Sequence, residues 1–334
     1  MSGPLLFALA RSRELGERVA AALGMALAPH EEREFEDGEH KARPLTSVRG
    51  RDVFVIHGLW GEPEASANDK LCRLLFFCGA LKENGAGRVT AIAPYLAYAR
   101  KDRQTKPRDP VTTRYVAQLF EAVGIDRVVT LDVHNLAAFQ NSFRIEAVSL
   151  TARPLFLAAL LPALEGRVPV VVSPDAGGAK RAEALRELLE ERLGKTVPLA
   201  FLQKKRSEGR VTGDAVIGDV EGRSAVIIDD LISSGTTLSR AARALRRQGA
   251  GRILACATHG LFNPPAAELL EEAAFDRLLV TDSVPPFRLP AQVAVRHLTV
   301  LGIAPLLAVA VRRLHTGGSI SELLREGPQP SIAV

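Results

Sequence analysis

Tryptophan occurs once, methionine twice and cysteine three times in this 334-residue chain, and aromatic residues make up only 5% of it. So few cysteines exclude a disulfide-built scaffold. Cys72 and Cys78 sit in an apolar helical stretch and Cys256 in a strand-like run, without the spacing of a metal or redox motif. They read as buried structural thiols. No apolar run reaches the roughly 20 residues that a membrane span needs. The opening segment Met1–Phe7 has neither the basic flank nor the long apolar stretch of a secretory signal. Both absences point to the cytoplasm, with no membrane partner. Basic residues form no tail and few aromatics interleave with them, so no nucleic-acid partner is expected. The pattern G-x-x-x-x-G-K-[ST] is also missing, which excludes an ordinary P-loop kinase.

What is present is an ordinary globular composition, 47% apolar and 24% charged, in a chain long enough for two domains. With aromatics scarce, the core must be built mainly from Ala, Val, Leu and Ile. A net charge of +5 suits a phosphate-rich small substrate.

Short apolar runs alternate with helical patterns, which predicts βαβ units around a parallel sheet. Some of these units repeat. Val48-Arg49-Gly50-Arg51-Asp52-Val53-Phe54-Val55-Ile56 resembles Val220-Glu221-Gly222-Arg223-Ser224-Ala225-Val226-Ile227-Ile228. Gly85-Ala86-Gly87-Arg88-Val89 then resembles Gly249-Ala250-Gly251-Arg252-Ile253, and Asp126-Arg127-Val128-Val129 resembles Asp276-Arg277-Leu278-Leu279. Matches in the same order indicate a duplication. The predicted organisation is a domain over 1–150, a related one over 151–304, and a terminal helix and tail over 305–334 that packs back on the first.

In the second copy the repeated strand runs into Asp229-Asp230-Leu231-Ile232-Ser233-Ser234-Gly235-Thr236-Thr237, and a helix is predicted from about Leu238 to Gln248. Strand, glycine-containing turn and helix N-terminus present backbone N–H groups and a positive dipole end to an anion. Ser233, Ser234, Thr236 and Thr237 add hydroxyl donors around Gly235. The adjacent carboxylates of Asp229 and Asp230 suit the vicinal hydroxyls of a ribose, or a magnesium ion. Helix capping alone would account for one hydroxyl. It would not account for four and two acids. The corresponding place in the first copy reads Ile56-His57-Gly58-Leu59-Trp60, without the acids.

The acid pair followed by a Ser/Thr/Gly loop resembles the signature of type I phosphoribosyltransferases. From about Phe35 to Leu324 the chain is similar to the ribose-phosphate diphosphokinase family, in which two such α/β domains stand in tandem, each with a mainly parallel sheet flanked by helices. The resemblance implies roles for further segments. Phe35, Asp37, Gly38 and Glu39 match the segment that holds adenine, and Arg100, Lys101, Asp102 and Arg103 match the segment for the ATP phosphates. His134 and Asp175 match the residues that bind Mg2+, each just beyond a predicted strand. Lys204 and Arg206 match the catalytic lysine and arginine, which stabilise charge on the transferring group. Arg206 also joins Asp229, Asp230 and Ser233–Thr237 at ribose 5-phosphate.

The activity implied is transfer of diphosphate from MgATP to the anomeric hydroxyl of ribose 5-phosphate, by a homo-oligomer. A phosphoribosyltransferase would use the same loop without the Phe35 and Arg100 segments. A regulatory paralogue of the same family would have lost Lys204 or Arg206.

Overall fold

The computed structural model describes residues 3–207, 210–272 and 274–328, with the side chains of 204–214 outside the description. Contacts divide the chain into two compact units, Met1–Thr151 with Ile303–Val334, and Ala152–Gly302. Both are α/β, with mainly parallel sheets flanked by helices.

The first unit contains β1 (Leu5–Ala8), α1 (Arg13–Leu23), β2 (His30–Glu34), β3 (His40–Pro44), β4 (Asp52–Ile56), α2 (Ala67–Glu83), β5 (Arg88–Ile92), α3 (Thr112–Ala122), β6 (Arg127–Leu131), α4 (Leu136–Ser142) and β7 (Glu146–Leu150). Its sheet has the order β1-β4-β5-β6-β7 with every pair parallel, while β2 and β3 form a separate antiparallel ribbon. Val53-Phe54-Val55-Ile56 is wholly buried. A strand covered by helices on both faces reads as such a continuous apolar run rather than an alternating one. α2 starts at a capping box in which Asp69 N donates to Ser66 Oγ and Ser66 N donates to Asp69 Oδ2.

The second unit contains α5 (Arg153–Leu164), β8 (Val170–Ser173), α6 (Ala179–Leu193), β9 (Leu199–Ser207), β10 (Arg210–Ile217), β11 (Ser224–Ile232), α7 (Thr236–Arg247), β12 (Arg252–Gly260), α8 (Ala266–Glu271), β13 (Arg277–Thr281), α9 (Ala291–His297) and β14 (Leu298–Leu301). Its seven strands run β10-β9-β8-β11-β12-β13-β14, and only β9–β10 is antiparallel. The last helices, α10 (Ala304–Thr316) and α11 (Ile320–Glu326), belong to the first unit, where α10 packs against α1.

The repeated sequence makes repeated hydrogen bonds. Gly50 N donates to Gly85 O at 2.7 Å, and Gly222 N to Gly249 O at 2.8 Å. Gly87 N donates to Arg51 O and Gly251 N to Arg223 O, both at 2.9 Å. A Cβ on Gly87 would lie 3.0 Å from Gly50 O, and one on Gly251 3.2 Å from Gly222 O. Close backbone approach therefore keeps both positions glycine.

The boundaries differ in detail from the sequence expectation. α7 begins at Thr236, inside the presumed loop, because Gly235 itself supplies the turn into the helix. The cysteine reading also needs a correction. Cys78 and Cys256 are buried, but Cys72 is exposed. Leu71, Leu74, Leu75 and Cys78 form the inner stripe of α2 at helical spacing, which turns Cys72 and Phe76 outward.

Candidate functional site

In the second unit β8 and β11 are parallel neighbours, so their C-terminal ends open on the same edge of the sheet. That edge is where open α/β sheets hold ligands. β11 carries Asp229 and Asp230, and the turn 233–235 leads into α7. Gly235 has φ +79°, the left-handed region open to glycine, and no side chain caps α7 there. The hydroxyls of this turn thus have no capping task at Gly235. Ser234 Oγ and Thr236 Oγ1 are 2.9 Å apart. Ser233 is held from the next strand's loop, where Asn263 Nδ2 donates to its Oγ at 3.2 Å and Asn263 N to its carbonyl at 2.9 Å.

The acid pair is nearly enclosed, with side-chain exposures of 15% for Asp229 and 5% for Asp230. One guanidinium serves both. Arg181 Nη1 lies 3.0 Å from Asp229 Oδ1, and Nη2 lies 3.1 Å from Asp230 Oδ1. Burial, then the neighbouring Asp230, pushes the Asp229 carboxyl up to about 7, against the pull of Arg181. Arg181 was not among the residues singled out from sequence. Its only local signal is its place one turn into α6, just after Gly177-Gly178.

Asp175 follows β8 in a turn. Ser173 Oγ donates to Asp175 O at 2.6 Å, and Asp175 Oδ1 accepts from Gly178 N at 2.9 Å. The acid therefore closes its own turn, a use with no sign in the sequence, while remaining exposed.

In the first unit Phe35–Glu39 is the tip of the β2–β3 hairpin. Phe35 N donates to Glu39 O at 2.8 Å and Glu39 N to Asp37 Oδ1 at 3.1 Å, with Gly38 at φ +88°. The tip is a well-formed turn that leaves Phe35 39% exposed, with Arg33 over its ring at 5.1 Å. Arg100, Lys101 and Arg103 are exposed on the segment after β5. That segment is tied down by Tyr98, whose hydroxyl donates to Asn68 Oδ1 on α2, and by Thr113 Oγ1, which donates to Tyr98 O at 2.9 Å. Asp102 Oδ2 accepts from Asn135 Nδ2 at 2.6 Å, which brings the segment alongside the stretch that follows His134. His134 is exposed beyond the end of β6. Asn135 is also the N-cap of α4, accepting from Ala138 N at 3.2 Å.

The first copy's counterpart of the phosphate loop is filled. Trp60 folds back over Gly58, where a Cβ would meet its ring at 1.7 Å. Fully buried Lys70 puts Nζ 4.0 Å from the Trp60 ring centroid and 2.9 Å from Glu62 Oε1.

Lys204 and Arg206 lie in β9, where their backbones register with Asp214 and Val211 of β10. Their side chains lie outside the described residues. Among the described residues no group of three or more His, Cys, Asp and Glu is placed to hold a metal ion, and no helix is long and apolar enough to cross a membrane.

Two family models match the chain. The N-terminal domain of ribose phosphate pyrophosphokinase matches residues 5–124, and the phosphoribosyl synthetase-associated domain matches residues 200–325. A ribose-phosphate pyrophosphokinase of Caldanaerobacter subterraneus is 39% identical over 93% of this chain and 94% of its own length. The one from Aquifex aeolicus is 36% identical over 97% and 99%. The crystal structure of phosphoribosylpyrophosphate synthetase from Mycobacterium smegmatis superposes with a TM-score of 0.84 at 35% identity, covering 95% of this chain and all of that one.

Proposed function

The chain belongs to the ribose-phosphate pyrophosphokinase family, and from that premise we propose that it transfers the β,γ-diphosphoryl group of ATP to the anomeric hydroxyl of ribose 5-phosphate. The products are 5-phosphoribosyl 1-diphosphate and AMP. The observation that carries the reading is the turn from Asp229 to Thr237, a strand end with two acids followed by an uncapped helix N-terminus.

In this reading the N–H groups and hydroxyls of Ser233–Thr237 hold the 5-phosphate, and α7 adds its positive end. Asp229 and Asp230 accept from the ribose hydroxyls. The anomeric oxygen attacks the β-phosphorus, the bond from that phosphorus to the α-phosphate oxygen breaks, and its electron pair leaves with AMP. The proton of the attacking hydroxyl passes to solvent. Phe35, Asp37, Gly38 and Glu39 receive the adenine, while Arg100, Lys101, Asp102 and Arg103 line the phosphates. Lys204 and Arg206 offset charge on the transferring group, and Arg206 also meets ribose 5-phosphate. Little covalent work falls to the protein, so positioning and charge carry the rate.

The residues present fit Mg2+ arriving with the nucleotide. Magnesium is usually held by one or two carboxylates plus substrate phosphates rather than by a protein cage. Asp175, exposed and with Oδ1 already engaged, would supply an oxygen, and His134 would orient the metal's surroundings. When bound, the ion supplies neutralisation of phosphate charge.

From the same premise we propose that the chain forms a homo-oligomer and works in the cytoplasm. The decisive experiment is AMP formation by purified protein with ATP, ribose 5-phosphate and magnesium. Activity that Lys204→Ala leaves at the full rate would remove Lys204 from the mechanism, and no activity in the unaltered protein would remove the function.

A further inference from the structure

We propose that Arg181 is a positioning residue of the ribose site, with its guanidinium holding the Asp229 and Asp230 carboxylates side by side to receive the two sugar hydroxyls. The proposal deepens the function read above and rests on it.

Two adjacent carboxylates at exposures of 15% and 5% repel one another and have lost most of their water. Such a pair takes up a proton or swings apart unless a cation and hydrogen-bond donors compensate it. Arg181 supplies both, one nitrogen per carboxylate, at 3.0 and 3.1 Å. The planar fork matters, because a lysine ammonium is a point charge on a flexible stem and does not offer two fixed parallel donors. Each carboxylate keeps its Oδ2 outside these Arg181 contacts. The effect is chemical as well as geometric. An ionised carboxylate accepts a hydroxyl proton, whereas a protonated one competes as a donor. Burial and Asp230 raise the Asp229 carboxyl to about 7 even against the pull of Arg181, so without the guanidinium the pair would hold its proton more tightly still.

The chain leading to Arg181 is shaped for this. A Cβ on Gly178 would lie 2.9 Å from Ser173 Oγ and 3.5 Å from Arg181 Nη1. The short approach to Ser173 Oγ keeps this position glycine, and the guanidinium passes within ordinary contact of it. Asp175 fixes that turn through Gly178 N, so the glycine pair, the turn acid and the arginine work as one unit. Arg181 itself is only 20% exposed, and both its partners stand immediately before the phosphate turn rather than deep in the core.

The test is steady-state kinetics of the full-length protein with melting temperature measured alongside, for Arg181→Ala, Arg181→Lys and Arg181→Ala combined with Asp229→Asn. Arg181→Ala should raise the KM for ribose 5-phosphate about tenfold or more, with the KM for ATP within about twofold. Arg181→Lys should recover part of that loss. Removing a buried negative charge in the double variant should restore thermal stability but not the KM. An equal rise in both KM values, an unchanged KM for ribose 5-phosphate, or a KM restored together with stability would each overturn the proposal. If the unaltered protein forms no AMP, the functional reading fails by itself. Calorimetric binding of ribose 5-phosphate that Arg181→Ala and Arg181→Lys both leave as tight as in wild type would then sink the fork as well.

Discussion

Asp126 and Asp276 do the same work in the two copies of the repeat. Asp126 Oδ2 accepts from Val89 N, and Asp276 Oδ2 accepts from Ile253 N, both at 2.7 Å. A cation from the helix before the amide's strand completes each, Lys82 Nζ of α2 at 3.0 Å and Arg246 Nη2 of α7 at 2.6 Å. Both carboxylates are about 40% exposed, so the ion pairs themselves contribute little. A strand amide left without its acceptor costs more. Asp276→Ala should lower stability by about 1–2 kcal/mol, and Asp276→Asn, which keeps an acceptor oxygen, should recover most of it. Urea midpoints of the three proteins test this. Equal loss for the two substitutions would put the energy in the charge instead.

The duplication was legible in sequence because the repeated residues do backbone work. Gly87, Gly251, Asp126 and Asp276 each satisfy a local geometric demand, so they recur whatever the ligand. The second phosphate turn was legible for a related reason, since acids, hydroxyls and a glycine follow one another along the chain. Arg181 was not. It reaches Asp229 across 48 residues, and only the pairing of β8 with β11 makes them neighbours. Lys70 was equally hidden, as its partners Trp60 and Glu62 belong to an irregular stretch with no periodic pattern. The exposed Cys72 could have been read, because helical spacing from Leu71, Leu74 and Leu75 already points it outward.

Lys70 offers a test of how the first copy is sealed. Its side chain has no exposure and lies between Glu62 and the ring of Trp60. Removing one partner of a buried ion pair leaves the other uncompensated. Lys70→Met, which preserves bulk, should cost about 3 kcal/mol. Trp60 is the only tryptophan, so its fluorescence during urea unfolding reports directly on this place. An unchanged midpoint would mean that Arg11, whose Nε lies 3.9 Å from the same Glu62 Oε1, or water balances Glu62 in place of Lys70.

His57 sets a pH dependence at the same end of the sheet. Complete burial, reinforced by Lys70, pushes its imidazole down to about 3. The folded protein keeps it neutral, while the unfolded chain protonates it near the ordinary value of about 6.5. Its contribution to stability is therefore complete above pH 6.5 and is lost as pH falls from there toward 3. His57→Gln should flatten the stability curve over that window. A curve with unchanged slope between pH 6 and 4 would assign acid sensitivity elsewhere.

Asp229 should act with the opposite sign. Its folded value of about 7 exceeds the unfolded carboxylate value of 3.8, so the folded state holds the proton more tightly. The stabilising contribution is full below pH 4 and disappears as pH rises through 7. Relative to wild type, Asp229→Asn should thus gain stability as pH rises from 5 to 8, while its KM for ribose 5-phosphate increases. Melting curves at the two pH values decide it. A stability difference that stays constant would show that Arg181 already keeps the carboxylate fully ionised.

Gly235 separates the conformational from the chemical demand of the phosphate turn. A Cβ there would meet nothing closer than Ile232 Cγ2 at 3.9 Å and Leu269 Cβ at 4.0 Å. Space therefore permits alanine, and only the backbone angle of +79° opposes it. Gly235→Ala should cost about 1 kcal/mol of stability if the turn holds its shape. In that case ribose 5-phosphate should still bind, because the N–H groups of α7 remain aimed as before. If instead the turn relaxes to negative φ, the stability cost shrinks but the first amides of α7 lose their direction. The KM for ribose 5-phosphate then rises while that for ATP does not. Measuring both quantities on one variant distinguishes the outcomes, since strain retained and binding lost should trade against each other. Losing both together would mean that Gly235 touches the phosphate itself, where even a methyl group is too much.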